Sequence, residues 1–154
     1  MKKIWIVLLI FLLVGCTKKE ETEYYRLVDE LNAVNNSSLN IPFDINISLD
    51  KITDDELVYN VVIDNPKKDL TNVRALVTHD YLLDEAYPNI GIFDNRVNLI
   101  PNKIDENDNY VKGIALVGYI PFTESVNEYH GTFRVLVDYT VDNTNKRIYY
   151  IYTI

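Results

Sequence analysis

Apolar residues recur at every second position through much of the chain after residue 39, and this period of two constrains the fold more than any other feature. It is clearest from Phe133 to Val141, where apolar and aromatic residues occupy each odd position. Phe43–Leu49 and Leu57–Ile63 repeat the alternation. Because successive side chains of a β-strand point to opposite faces, this pattern predicts strands with one buried face.

Turn sequences separate the alternating segments. Three polar clusters interrupt the chain, "DNPKKDLTN" at 64–72, "NKIDENDN" at 102–109 and "DNTNK" at 142–146. Further strands are predicted between and after these clusters, at residues 73–77, 90–93, 97–100, 111–120 and 147–154. Seven or eight short strands with turns between them are typical of a mainly β protein, an antiparallel β-sandwich of about seven strands.

One segment before the strands has helical spacing instead. Within residues 22–35, apolar side chains share one helical face: Tyr24, Leu27, Val28, Leu31 and Val34. A short helix of this kind is marginal alone, so its apolar face must pack against something. The last strand, "RIYYIYTI", is apolar or aromatic on both faces. We therefore expect the helix to cover the second face of that strand; the alternative is an exposed tyrosine patch.

Residues 57–80, which include "VVIDNPKKDLTNVRALVTHD", resemble a hairpin of the immunoglobulin-like domains found in bacterial surface lipoproteins. The resemblance implies an Ig-like sandwich topology. An antibody-type domain is excluded, because the chain has a single cysteine and its one tryptophan is Trp5.

The amino terminus predicts export and lipidation. Lys2 and Lys3 precede an apolar run at residues 4–14, which as a helix would cover about 16 Å, too short for a bilayer core. These features are typical of a signal peptide. The following "LVGC" resembles the lipobox of bacterial lipoproteins, which implies a lipid on Cys16 and cleavage before it. We predict a signal peptide at 1–15, a lipidated tether with the helix at 16–38, and the β-sandwich domain at 39–154.

Charge narrows the range of partners. Loss of Lys2 and Lys3 with the signal leaves 13 basic and 23 acidic residues, a net charge of −10. Such a chain repels nucleic-acid phosphates and anionic lipid headgroups, so nucleic-acid binding is not expected. A covalent diacyl lipid on Cys16 would hold it at the outer, extracytoplasmic face of the cell membrane.

The residues do not predict an active site. The only thiol is the lipid-attachment residue, and His79 and His130 are scattered along the chain. The acidic run at 105–109 lacks EF-hand spacing and is interpreted as a solvated loop. We therefore predict no catalytic residue, metal or other cofactor.

A non-catalytic binding domain is the favoured function, with a protein or glycan as the partner. Aromatic and apolar residues in the 85–100 segment and the last strand are the candidate contacts: Tyr87, Ile90, Phe93, Tyr149, Tyr150 and Tyr152. The 85–100 residues have a competing interpretation as a cap on the core. Two other functions remain open, a structural subunit of an envelope complex and a metal-dependent or hydrolytic enzyme.

Overall fold

A computed structural model of the chain describes residues 23–80, 90–103 and 110–154. Residues 23–32 form helix α1. A 3₁₀ turn at Val126–Glu128 precedes the last two strands. The strands are β1 (Asp44–Thr53), β2 (Glu56–Asp64), β3 (Leu70–His79), β4 (Ile90–Leu99), β5 (Tyr110–Val111), β6 (Ile114–Pro121), β7 (Thr132–Val141) and β8 (Thr144–Thr153).

The strands form two sheets that face each other as a β-sandwich, which confirms the predicted fold class. The smaller sheet has the order β1-β2-β6, and the larger has the order β5-β4-β3-β7-β8. Neighbouring strands are antiparallel except for the short β4–β5 pair, which is parallel. An Ig-like topology within this fold class stays a prediction.

The core lies between the sheets and follows directly from the period of two. Every second residue of β2, β3, β6 and β7 points inward, where it packs against the opposite sheet. The fully buried members with the largest side chains are Tyr59, Tyr129, Phe133, Leu57, Ile63, Leu70, Leu99 and Ile120. The three rings of Tyr59, Phe133 and Tyr129 make consecutive contacts, with centroid separations of 5.2 and 6.2 Å.

Helix α1 lies on the outer face of the larger sheet. Leu27 and Leu31 are fully buried there against Leu76 of β3 and Leu136 of β7. Tyr149 of β8 packs against the same cluster, so the helix covers the second face of the last strand as predicted. Because a ten-residue helix is marginal in isolation, this apolar contact accounts for its formation.

The segment that follows the helix runs along the free edge of β8. The backbone amide of Ser38 donates to the carbonyl of Tyr149 at 2.8 Å, and the Tyr149 amide donates to the Ser38 hydroxyl at 2.9 Å. The Ile151 amide likewise donates to the Ser37 hydroxyl at 2.9 Å. These bonds satisfy backbone groups that an edge strand otherwise leaves open.

The β7–β8 hairpin turns on two residues. Asp142 and Asn143 both have positive φ, 49° and 58°, which suits the type I′ turn that matches the twist of a two-residue hairpin. Asp and Asn tolerate this left-handed conformation better than most residues do. The turn therefore uses only the first two residues of "DNTNK", and the remaining three belong to β8.

Two predicted strand boundaries were wrong. The segments 90–93 and 97–100 form one continuous strand, β4, because pairing with β3 continues past "DNR" with irregular register. The segment 111–120 is instead divided at Lys112 and Gly113 into β5 and β6, which belong to different sheets. Local alternation cannot show that a strand changes sheet.

Candidate functional site

A ladder of three charged residues crosses the outer face of the larger sheet beside helix α1. Arg74 of β3 lies directly opposite Asp138 of β7, and Asp138 lies directly opposite Arg147 of β8. Their signs alternate across the three strands, which is the favourable arrangement for directly opposed charges. The sequence places each of them at an outward position of its strand, so all three reach the same surface.

Asp138 holds the two arginines together. Arg147 donates to both carboxylate oxygens of Asp138, from Nε at 2.6 Å and from Nη2 at 2.8 Å. Arg74 donates to the same carboxylate from Nε at 2.8 Å. The first contact is the two-bond fork that a guanidinium forms with a carboxylate, which fixes both side chains in direction as well as in distance.

Helix α1 adds one carboxylate to each arginine. Arg74 Nη1 lies 2.9 Å from Glu23, and Arg147 Nη1 lies 2.6 Å from Glu30. The hydroxyl of Tyr149 donates to the same Glu30 oxygen at 2.5 Å. The helix is thus held to the sheet at its two ends by ion pairs and between them by leucines.

These contacts change the acidity of the groups involved. Hydrogen bonding from Tyr149, together with Arg147, lowers the pKa of Glu30 despite its partial burial. Burial alone would raise the pKa of Asp138, but the hydrogen bonds from Arg147 and Arg74 outweigh it and lower that pKa. Burial, and then the bond to Glu30, raises the pKa of Tyr149. At neutral pH, Glu30 and Asp138 are therefore ionised and Tyr149 is uncharged.

A groove of about 440 Å³ opens beside this network. Its lining includes the charged ladder with Glu30 and Tyr149, together with a group of exposed or half-exposed polar side chains: Asn72, Arg96, Thr140, Asn145 and Lys146. Four of the lining side chains are cationic and two are anionic. The groove is therefore net positive on a chain whose overall charge is −8.

Arg96 and Lys146 distinguish this groove chemically. Among the described residues neither forms an ion pair, whereas Arg74 and Arg147 are already engaged by carboxylates. A guanidinium and an ammonium that are in no ion pair among the described residues, next to amide and hydroxyl groups, can bind a carboxylate or a phosphate group.

The aromatic residues predicted as partner contacts occupy different environments. Phe93 and Tyr149 pack against the helix cluster, and the Phe93 ring lies 5.6 Å from that of Tyr24. Tyr150 packs against the main core, and Tyr152 is 38% exposed. The structure does not bring the four described side chains, those of Phe93, Tyr149, Tyr150 and Tyr152, together as one patch. Tyr87, the side chain of Ile90, and Cys16 lie outside the described residues.

Neither of the two histidines lines the groove. His79 packs its ring against Tyr59 and Phe133, at centroid separations of 5.4 and 5.9 Å. His130 is exposed. Asp80, the acidic neighbour of His79, pairs with Arg134 instead. In the described part of the chain, no group of three or more His, Cys, Asp or Glu side chains is placed to hold a metal ion.

Sequence reasoning missed the charged ladder as a unit. Only Arg74 stands out in the sequence, as the one charged residue of β3, because β7 also carries Arg134 and β8 also carries Lys146. Which outward residues meet depends on the pairing of β3 with β7 and of β7 with β8, and that register is a long-range property.

Comparisons of the chain with protein-family models, with curated proteins and with solved structures give no match. Within residues 23–80, 90–103 and 110–154, no helix has the length and apolar character needed to span a bilayer. Function must therefore be inferred from the residues of this chain and their arrangement.

Proposed function

We propose that this protein is an exported bacterial lipoprotein that displays a non-catalytic binding domain on the extracytoplasmic face of the cell membrane. The lipobox-like "LVGC" and the preceding apolar run support lipidation at Cys16. The acidic charge of the remaining chain gives the lipid a physical role, because headgroups would repel the protein without it. No nucleic acid is involved.

The binding site in this proposal is the groove between β4, β8 and helix α1. The observation that carries it is the pair of cations, Arg96 and Lys146, that have no carboxylate partner among the described residues of an acidic chain. All other arginines of the chain form ion pairs: Arg26, Arg74, Arg134 and Arg147. An anionic group of a protein or glycan partner, a carboxylate or a phosphate, would complete the site.

This site joins the two regions that the sequence favoured for partner contact. Arg96 belongs to the 85–100 segment, and Lys146 belongs to the last strand. Their polar side chains, and not the aromatic residues buried under the helix, carry the proposed recognition. Tyr152 is exposed enough to contact a partner as well.

The test is binding of a defined polyanion to the full-length protein in detergent. Fluorescently labelled poly-glutamate supplies carboxylates, and polyphosphate supplies phosphates. The Arg96→Gln/Lys146→Gln variant should bind about 2- to 30-fold more weakly, since exposed ion pairs contribute about 0.2–1 kcal/mol each. Added salt should weaken binding as well, because exposed charges are screened.

A matched control removes the same charge elsewhere. Lys67 and Lys68 are exposed and outside the groove, where they pair with Asp44 and Asp142 at 3.5 and 3.9 Å. Their double change to Gln should leave affinity close to that of the unmodified protein. Equal losses in both variants would mean that only net charge matters, and the groove would then not be the site.

A further inference from the structure

Strand β6 is an apolar edge of the smaller sheet. It pairs with β2 on one side and is the last strand of the order β1-β2-β6. Its eight residues, "IALVGYIP", include no charged or hydrogen-bonding side chain except the Tyr119 hydroxyl. Among the described residues, no backbone hydrogen bond reaches its other side. An edge of this kind is a template for another strand.

The other sheet edges are protected in the ways that soluble proteins commonly use. Strand β8 is bonded by Ser37 and Ser38. Strand β1 carries charges near both ends, at Asp44 and at Asp50 and Lys51. Strand β5 has only two residues. Charges, coverage and shortness all prevent strand addition, and within residues 23–80, 90–103 and 110–154 β6 shows none of the three.

The face of β6 that points away from the core is also apolar. Ala115, Val117 and Tyr119 alternate outward, and Val117 and Tyr119 are each 45% exposed. They lie beside the outward residues of β2 in the paired register, the apolar Val58 and Val62 with the polar Asn60 between them. A strand added to β6 would extend this apolar surface and cover part of it.

We propose that β6 pairs with β6 of a second copy of this chain, antiparallel, to form one continuous six-stranded sheet. Seven residues, Ile114–Ile120, can pair before Pro121, which has no amide hydrogen, ends the ladder. The midpoint of that segment is Val117. A two-fold axis there places Val117 opposite Val117 of the second copy.

Side-chain sizes and charges fit this register. With Val117 at the axis, the small Ala115 lies opposite the large Tyr119 of the second copy, on both sides of the axis. Lys112 comes within two positions of Glu124 of the second copy at each end, and both residues are exposed. An antiparallel pair therefore matches small with large and basic with acidic.

Self-pairing has a distinct salt dependence. Two copies of an acidic chain repel each other, so added salt should strengthen the dimer. Polyanion binding in the groove should weaken under the same change. The two proposals use opposite sheets, and either can fail without the other.

The first test is sedimentation velocity of the full-length protein in detergent, from about 1 to about 200 µM, since association depends on concentration. We expect a monomer–dimer equilibrium. Val117→Lys should raise the dimer dissociation constant by about tenfold or more, because it places like charges directly opposite each other. Ser48→Lys adds the same charge to exposed Ser48 of β1, at the opposite edge, and should not. A circular dichroism melt checks that both variants fold.

Exchanging the charges of Lys112 and Glu124 tests the register without altering β6, because both residues lie outside the strand. Lys112→Glu should weaken the dimer, and Lys112→Glu combined with Glu124→Lys should restore it. Failure of the second change to restore the dimer would contradict the antiparallel register.

Cross-linking tests the axis directly. In a Cys16→Ser background, Val117→Cys places two thiols across the axis, where paired Cα atoms lie about 4.5–5.5 Å apart, within disulfide reach. Oxidation should give a covalent dimer, whereas Asn46→Cys on β1 should stay monomeric.

The proposal is overturned if the protein is a monomer throughout the concentration range, or if it forms a dimer that Val117→Cys does not capture. A monomer that loses a co-purifying protein on Val117→Lys would assign the edge to that protein instead, and would also overturn self-pairing.

Discussion

Replacing Leu31 by alanine should detach helix α1 from the sandwich. Leu31 is fully buried between the helix and the larger sheet, among Leu27, Leu76 and Leu136. Burial of a leucine side chain contributes about 1.5–3 kcal/mol, and the cavity left by its removal adds to the loss. We expect a cost of about 2–4 kcal/mol, a large part of the 5–15 kcal/mol that is typical of whole domains.

The location of that loss is the informative part. A ten-residue helix without its contact is marginal, so the helix should unfold locally while the two sheets persist. Hydrogen exchange followed by mass spectrometry should show this. A loss of about 3 kcal/mol corresponds to roughly 100-fold faster exchange of the amides in residues 23–32, with little change in β2, β3 and β7.

Leu39→Ala is the matched control. It removes the same atoms from a leucine that is 88% exposed, so its effect on the free energy of unfolding should stay within about 0.5 kcal/mol. Urea denaturation followed by circular dichroism measures both variants. Two results would refute this reasoning. One is a Leu31→Ala variant whose free energy of unfolding falls no more than that of Leu39→Ala. The other is amide exchange that accelerates equally in every strand, which would mean that helix α1 does not unfold separately from the sheets.

Three further outcomes are expected. Cys16→Ser should leave the precursor uncleaved and without label from radioactive fatty acid; a mature, membrane-bound Cys16→Ser protein would contradict lipidation. The pKa values of Glu30 and Asp138 are lowered below their ordinary 4.5 and 3.8, so the stability that these carboxylates contribute is complete above those values and is lost as the pH falls through the lower folded-state values. Urea midpoints should therefore decline below about pH 4, and a midpoint that stays constant to pH 2 would exclude this contribution. Gly118→Ala should cost about 1–3 kcal/mol, because a Cβ there would overlap the ring of Tyr59, and thermal melting should show a lower midpoint.

The alternation of apolar residues was enough to predict a mainly β sandwich, because burial of one strand face is a local property of the sequence. The helix was also predicted, and so was its position over the last strand. A short amphipathic segment and a strand with two apolar faces each need a cover, and each can cover the other. Leu27, Leu31 and Tyr149 meet as that reasoning requires.

Strand limits were predicted less well where the chain changes partner. Nothing in the alternation from Val111 to Ile120 marks the step at Lys112 and Gly113, where the chain passes from one sheet to the other. The continuity of β4 through "DNR" likewise depends on β3, which supplies the pairing.

By itself, the sequence determined the helix and most of the strands, since strand alternation and helical spacing are each contained within a few neighbouring residues. The export signal and lipid attachment at the amino terminus stay predictions. Tertiary structure alone decided what lies on its surfaces. Arg74 and Asp138 are 64 positions apart in the sequence, and together with Arg147 they become one network only through strand register. In the part of the chain that the structure describes, the edge of β6 is open only because the sheet order leaves this strand last. Both features arise from pairing between distant segments, which a local pattern does not encode.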